Sequence, residues 1–71
     1  MGLADLGEMK RTKADLERAK EALLKELERL EELKAKGEIS EEEYAKKRGD
    51  IERKLVEIMD RLAQLKFLLG G

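Results

Sequence analysis

Apolar residues in the second half of the chain recur at alternating steps of four and three residues. Tyr44 and Ile51 stand one heptad apart, with Arg48 at the polar position between them. The series continues through Leu55, Ile58, Leu62, Leu65 and Leu69. This heptad pattern is typical of a helix that packs a narrow apolar stripe against another helix.

A similar apolar stripe runs along the first half, where Lys13 and either Lys20 or Ala19 interrupt it. Its members are Leu3, Leu6, Met9, Leu16, Leu23, Leu27, Leu30 and Leu33. The two stripes predict helix 1 over about residues 4–36 and helix 2 over about 40–69, joined by a turn at 37–39. Because so short a turn returns the chain on itself, we predict an all-α fold: one antiparallel hairpin that spans the whole chain.

The residues between the stripes carry the signals of a helix-to-helix turn. Gly37 can adopt the left-handed conformation that ends helix 1. Ser40 is a favourable N-cap, and Glu43 three residues later completes a capping box. Ile39 before the cap and Tyr44 after it form a hydrophobic staple. We therefore assign structural roles to these five residues rather than an acidic binding site.

Charged residues make up 46% of the chain, yet the formal net charge is only −1. Acid-before-base pairs four residues apart, such as Glu21–Lys25 and Glu57–Arg61, account for much of this charge as solvated helix faces. The Glu- and Lys-rich composition also resembles that of hyperthermophile proteins. Charge alone therefore indicates no particular partner.

The segment over residues 30–51 reads LEELKAKGEISEEEYAKKRGDI and resembles the SHOCT-type short helical hairpin. The residues that carry the resemblance are Leu30, Leu33, Gly37, Ile39, Ser40, Glu42, Glu43, Tyr44 and Lys47. The resemblance implies a module for oligomerisation or association. Both predicted helices extend well beyond the resembling segment.

Helix 2 is apolar over more than one stripe, because Val56, Met59 and Ala63 lie beside Leu55 and Leu62. A face this wide suits a helix in a bundle of three or more. We predict that hairpins associate, most simply as a two-fold dimer that forms a four-helix bundle. The predicted association surface comprises Leu24, Leu55, Val56, Met59, Leu62, Ala63, Phe67, Leu68 and Leu69.

The apolar end at Phe67, Leu68 and Leu69 has two interpretations. These residues could cap the core against Leu3 and Leu6, or they could form a docking patch for a second protein.

Catalytic chemistry is not expected, because the chain has no histidine and no cysteine. Its only hydroxyl side chains are Thr12, Ser40 and Tyr44, so Ser–His or Cys–His pairs cannot form. We predict no enzyme, no cofactor and no metal site. No signal peptide is visible and no apolar run approaches the length of a membrane span, so a cytoplasmic location is the expectation.

The preferred interpretation is a non-enzymatic module that associates with itself and acts as a scaffold or adaptor for another protein. The alternative is a small RNA- or DNA-binding four-helix bundle. Its phosphate contacts would come from Lys10, Arg11 and Lys13 on helix 1 and from Lys46 and Lys47 on helix 2.

Overall fold

The computed structural model describes residues 6–70, which form two α-helices packed side by side. Helix α1 spans Leu6–Ala35 and helix α2 spans Glu41–Leu69. The hairpin is a rod of 52 × 19 × 15 Å, and the part of the chain between residues 6 and 70 contains no strand. The predicted all-α antiparallel hairpin is confirmed. Leu3, a member of the predicted apolar stripe of helix 1, lies outside the described residues.

Helix α1 ends in a Schellman motif centred on Gly37. Gly37 has a φ of 71°, and its N–H donates to the carbonyl of Lys34 at 3.0 Å. The N–H of Glu38 donates to the carbonyl of Leu33 at 2.9 Å, so two terminal carbonyls of the helix are satisfied. A left-handed φ carries a steric penalty for residues with a Cβ, which explains why a glycine occupies this position.

Ser40 is the N-cap of helix α2, and its backbone is extended at φ −74° and ψ 159°. The Ser40 hydroxyl accepts a hydrogen bond from the Glu43 N–H at 3.1 Å. In the described structure no bond returns from the Ser40 N–H to the Glu43 side chain. That carboxylate instead lies 3.4 Å from Lys47 Nζ, so the cap has one of the two bonds of a capping box.

The interhelical core is a single seam, and most of its buried residues lie toward the turn. Leu23, Leu30, Tyr44 and Ile51 form one buried cluster, and the half-buried residues packed against it are Leu27, Ile39, Leu55 and Ile58. Farther from the turn Leu62 is also buried, with 5% of its surface exposed. Burial of so few side chains makes a small hairpin marginal on its own, since small domains hide little of their surface.

A candidate association surface on the second helix

A row of large apolar side chains lies exposed on one flank of α2. The exposed fractions are 64% for Val56, 52% for Met59 and 86% for Phe67. Ala63 is exposed between Met59 and Phe67. Residues three and four apart share one side of a helix, so these four form a continuous surface beside the seam.

The same row continues toward the turn through three further residues at steps of three or four. Counting back from Val56 by four, three and four gives Glu52, Gly49 and Ala45. We call the full row the α2 strip: Ala45, Gly49, Glu52, Val56, Met59, Ala63 and Phe67. Ala45 and Gly49 lie at its turn end, and the large apolar residues Val56, Met59 and Phe67 lie in its far half. The sequence-based prediction of the surface missed this difference.

Leu24 of α1 lies on the same broad face of the hairpin as the α2 strip. Lys10 and Glu17 of α1 line one shallow groove together with Lys66 of α2. Leu24 follows Glu17 by seven residues, which places it on the same side of α1. Its side chain is 38% exposed, so it can extend an apolar surface from α2 onto α1.

Other members of the predicted surface face the hairpin's own interior. Leu62 is buried between the helices, and Leu55 and Leu69 are half-buried in the same seam. A partner could therefore reach these three residues only at their edges. The exposed part of the predicted surface consists of Leu24, Val56, Met59, Ala63, Phe67 and Leu68.

The end of α2 leaves its large side chains in solvent. Phe67 and Leu68 are exposed, and so is Leu6 at the described start of α1. The interpretation in which the end of α2 caps the core also involved Leu3, which lies outside the described residues. Gly70 caps the end of helix α2, with a φ of 75° and an N–H that donates to the Phe67 carbonyl at 3.2 Å.

A polar cluster surrounds Tyr44 near the turn. Its hydroxyl donates to a carboxylate oxygen of Glu31, and Arg48 Nη1 donates to the hydroxyl oxygen at 3.4 Å. Lys34 Nζ lies 4.2 Å from the centre of the ring, in position for a cation–π interaction. Arg48 also donates to Glu52 at 3.1 Å. This cluster fixes the register of the two helices, because Glu31 and Lys34 of α1 both contact Tyr44 of α2.

We expect the hairpin to lose stability as the pH rises through and above 10, because of Tyr44. The hydrogen bond to Glu31 and the burial of the ring raise the pKa of Tyr44 above 10.0, outweighing the opposing effect of Arg48. The unfolded chain therefore releases this proton first, so stability is full below about pH 10 and declines through the folded-state pKa.

Tyr44 is the only tyrosine, so tyrosinate absorbance at 295 nm reports this group alone. The midpoint should lie higher in the folded protein than in urea. Tyr44→Phe isolates the contribution of this hydroxyl, since the stability of the variant should fall less between pH 9 and pH 11. Equal midpoints in both states would contradict the expectation.

The two predicted basic clusters do not form one surface. Lys10, Arg11 and Lys13 lie near the open end of the hairpin, whereas Lys46 and Lys47 lie in the first turns of α2. About 20 residues of helical rise, or roughly 30 Å, separate the clusters. Lys47 is also paired with Glu43. This separation means that one phosphate group cannot contact both clusters.

Among residues 6–70, no three Asp or Glu side chains are grouped closely enough to hold a metal ion. Neither described helix combines the length and the apolar character that crossing a bilayer requires.

A family model described as SHOCT, short C-terminal domain, matches residues 25–52. This match confirms the resemblance predicted over residues 30–51. Comparisons with curated proteins and with solved structures gave no match. The matched segment covers the last part of α1, the turn and the first part of α2, and this part of the hairpin is similar to the SHOCT domain.

Proposed function

We propose that this protein is a non-enzymatic interaction module that associates with itself and thereby serves as a scaffold or adaptor. The observation that carries the proposal is the exposure of Val56, Met59 and Phe67 in one row of α2. A contiguous exposed apolar surface on a small protein marks an interaction site more often than chance placement does. Its position beside the seam suits the second contact of a helix in a bundle.

The large apolar residues of the α2 strip lie beyond the segment that matches the SHOCT family. Residues 25–52 supply the turn, the caps and three members of the buried cluster, Leu30, Tyr44 and Ile51, which build the hairpin. Residues 56–67 supply the exposed apolar surface. We infer a division of labour along the rod, in which the turn half sets the fold and the distal half makes the contacts.

A second copy is the occupant that we propose, giving a two-fold four-helix bundle. The hairpin buries only five apolar side chains among its described residues. Association provides the additional burial that a cysteine-free chain of this size cannot gain from disulfides. Scaffolding of another protein would then use surfaces that the dimer leaves open, including Leu68.

The mass in solution tests this proposal. Sedimentation equilibrium at 1 to 100 μM, concentrations set by the roughly micromolar affinity of modest interfaces, should give about twice the 8.1 kDa of the chain. A helical species that stays at 8.1 kDa throughout this range would overturn self-association.

A further inference from the structure

Two features of the α2 strip have no explanation within one hairpin. Gly49 lies in the interior of α2, where glycine is unfavourable relative to alanine. A Cβ built there would meet nothing closer than Arg53 Nη1 at 4.0 Å, so the hairpin itself would accommodate alanine. At the other end of the strip the Phe67 ring is 86% exposed.

We infer that two copies pair helix α2 against helix α2 in antiparallel orientation, so that Phe67 of each copy covers Gly49 of the other. This inference rests on the proposed self-association and adds its geometry. The two-fold axis passes between Val56 and Met59, at the middle of the strip. The missing side chain at Gly49 then provides room for the ring of the second copy.

The register follows from the spacing of the strip. If Val56 of one copy faces Met59 of the other, Glu52 faces Ala63, since both pairs keep the same sum of residue numbers. Phe67 then lies within one residue, about 1.5 Å of rise, of the level of Gly49 of the second copy. Phe67 thus meets Gly49 and Glu52 meets Ala63, whereas a parallel pairing would place Phe67 against Phe67 and Gly49 against Gly49.

Charge complementarity supports the same orientation. Arg53 and Asp60 are seven residues apart and lie in one row at the edge of the strip. An antiparallel pairing places Arg53 of each copy beside Asp60 of the other, twice in the dimer. A parallel two-fold pairing would place the two edge rows on opposite sides of the interface, where these charges cannot pair. Asp60 has no ion-pair partner among the described residues, and Arg53 is bonded only to its exposed neighbour Asp50.

The polar member of the strip is compatible with this packing. Glu52 lies at its seam-side edge and accepts a hydrogen bond from Arg48 at 3.1 Å. The facing residue in the antiparallel register is Ala63, whose small side chain leaves the Glu52–Arg48 pair in place at the rim.

Charge reversal tests the orientation through the dimer dissociation constant at low salt. Arg53→Glu and Asp60→Arg should each raise the constant about tenfold, because each turns two attractive pairs into repulsive ones. The double variant restores opposite charges and should return to within about threefold of the parent, by the same pairwise estimate. Arg61→Glu, on another side of α2, is the matched control and should leave the constant nearly unchanged.

The outcomes separate the inference from the proposed function. If the parent protein is monomeric, the proposed self-association itself is overturned. A dimeric parent whose single variants bind as tightly as the parent, or whose double variant is as weak as the singles, overturns the antiparallel pairing and leaves the association module standing.

A size exchange tests the contact between Phe67 and Gly49 independently. Gly49→Leu should weaken the dimer at least about tenfold, since overpacking is costly, yet keep the hairpin helical because leucine favours helix. Phe67→Ala should also weaken it. The double variant that carries both changes should dimerise more tightly than Gly49→Leu alone, because the new leucine occupies the space that the ring leaves. A dimer indifferent to Gly49→Leu would overturn this contact.

Discussion

Replacing Leu30 with alanine is expected to destabilise the protein by about 3 kcal/mol, within the range of buried Leu→Ala changes. Leu30 is 4% exposed and belongs to the cluster with Leu23, Tyr44 and Ile51. The lost methyl groups leave a cavity against a ring that the hydroxyl bond to Glu31 holds in place, so the site cannot easily collapse. A cost of this size is a large fraction of the stability of a small domain.

Urea unfolding followed by circular dichroism at 222 nm measures this change. Both proteins must be compared at one concentration, because association couples stability to concentration. Leu68→Ala is the matched control: the same atoms are removed from a side chain that is 65% exposed and outside the α2 strip. We expect it to cost less than about 0.5 kcal/mol. Equal losses in both variants would show that the cluster at the turn does not dominate stability.

Replacing Met59 with glutamate is expected to convert the dimer to monomer at micromolar concentration. Met59 lies at the centre of the α2 strip, so a two-fold dimer would bury two unpaired carboxylates near its axis. Even about 1.5 kcal/mol for each carboxylate raises the dissociation constant by roughly a hundredfold. Within one hairpin Met59 is half in solvent, and the helix itself should persist.

Ala22→Glu adds the same charge at an exposed position of α1, away from the strip. We expect this control to remain dimeric, with sedimentation equilibrium as the measurement and far-ultraviolet circular dichroism as the test of folding. If both variants dissociate alike, net charge rather than the strip governs association. If Met59→Glu stays dimeric, the copies meet through another surface.

The turn was predictable because its determinants are local. A left-handed Gly37 and an N-cap at Ser40 follow from residues within one or two turns of helix, and the structure has both. The seam was predictable for a similar reason, since the heptad period of α2 fixes which side faces α1. The resemblance over residues 30–51 could likewise be detected in the sequence, because it rests on the same turn, capping and apolar residues.

The long-range polar contacts were not predictable from the sequence. The bond between Tyr44 and Glu31 depends on the register of one helix against the other, which no local pattern specifies. The sequence allowed Phe67 either to cap the core or to be exposed as a docking patch. Its exposure became known only from the positions of the helix ends in the structure. The continuation of the strip through Gly49 had a signal in its spacing, but a row of small residues produces no apolar pattern.

The uneven placement of the core along the rod also determines how the hairpin opens. The buried cluster lies beside the turn, while half-buried lysines, Lys13 and Lys20, share the distal seam with Leu62. Local opening is cheapest where buried apolar contacts are fewest, so amide protons far from the turn exchange through fraying. We expect those around Leu30 and Tyr44 to exchange only through global unfolding. We likewise expect folding to start at the turn and proceed toward the ends, because contacts beside the turn close the shortest loops.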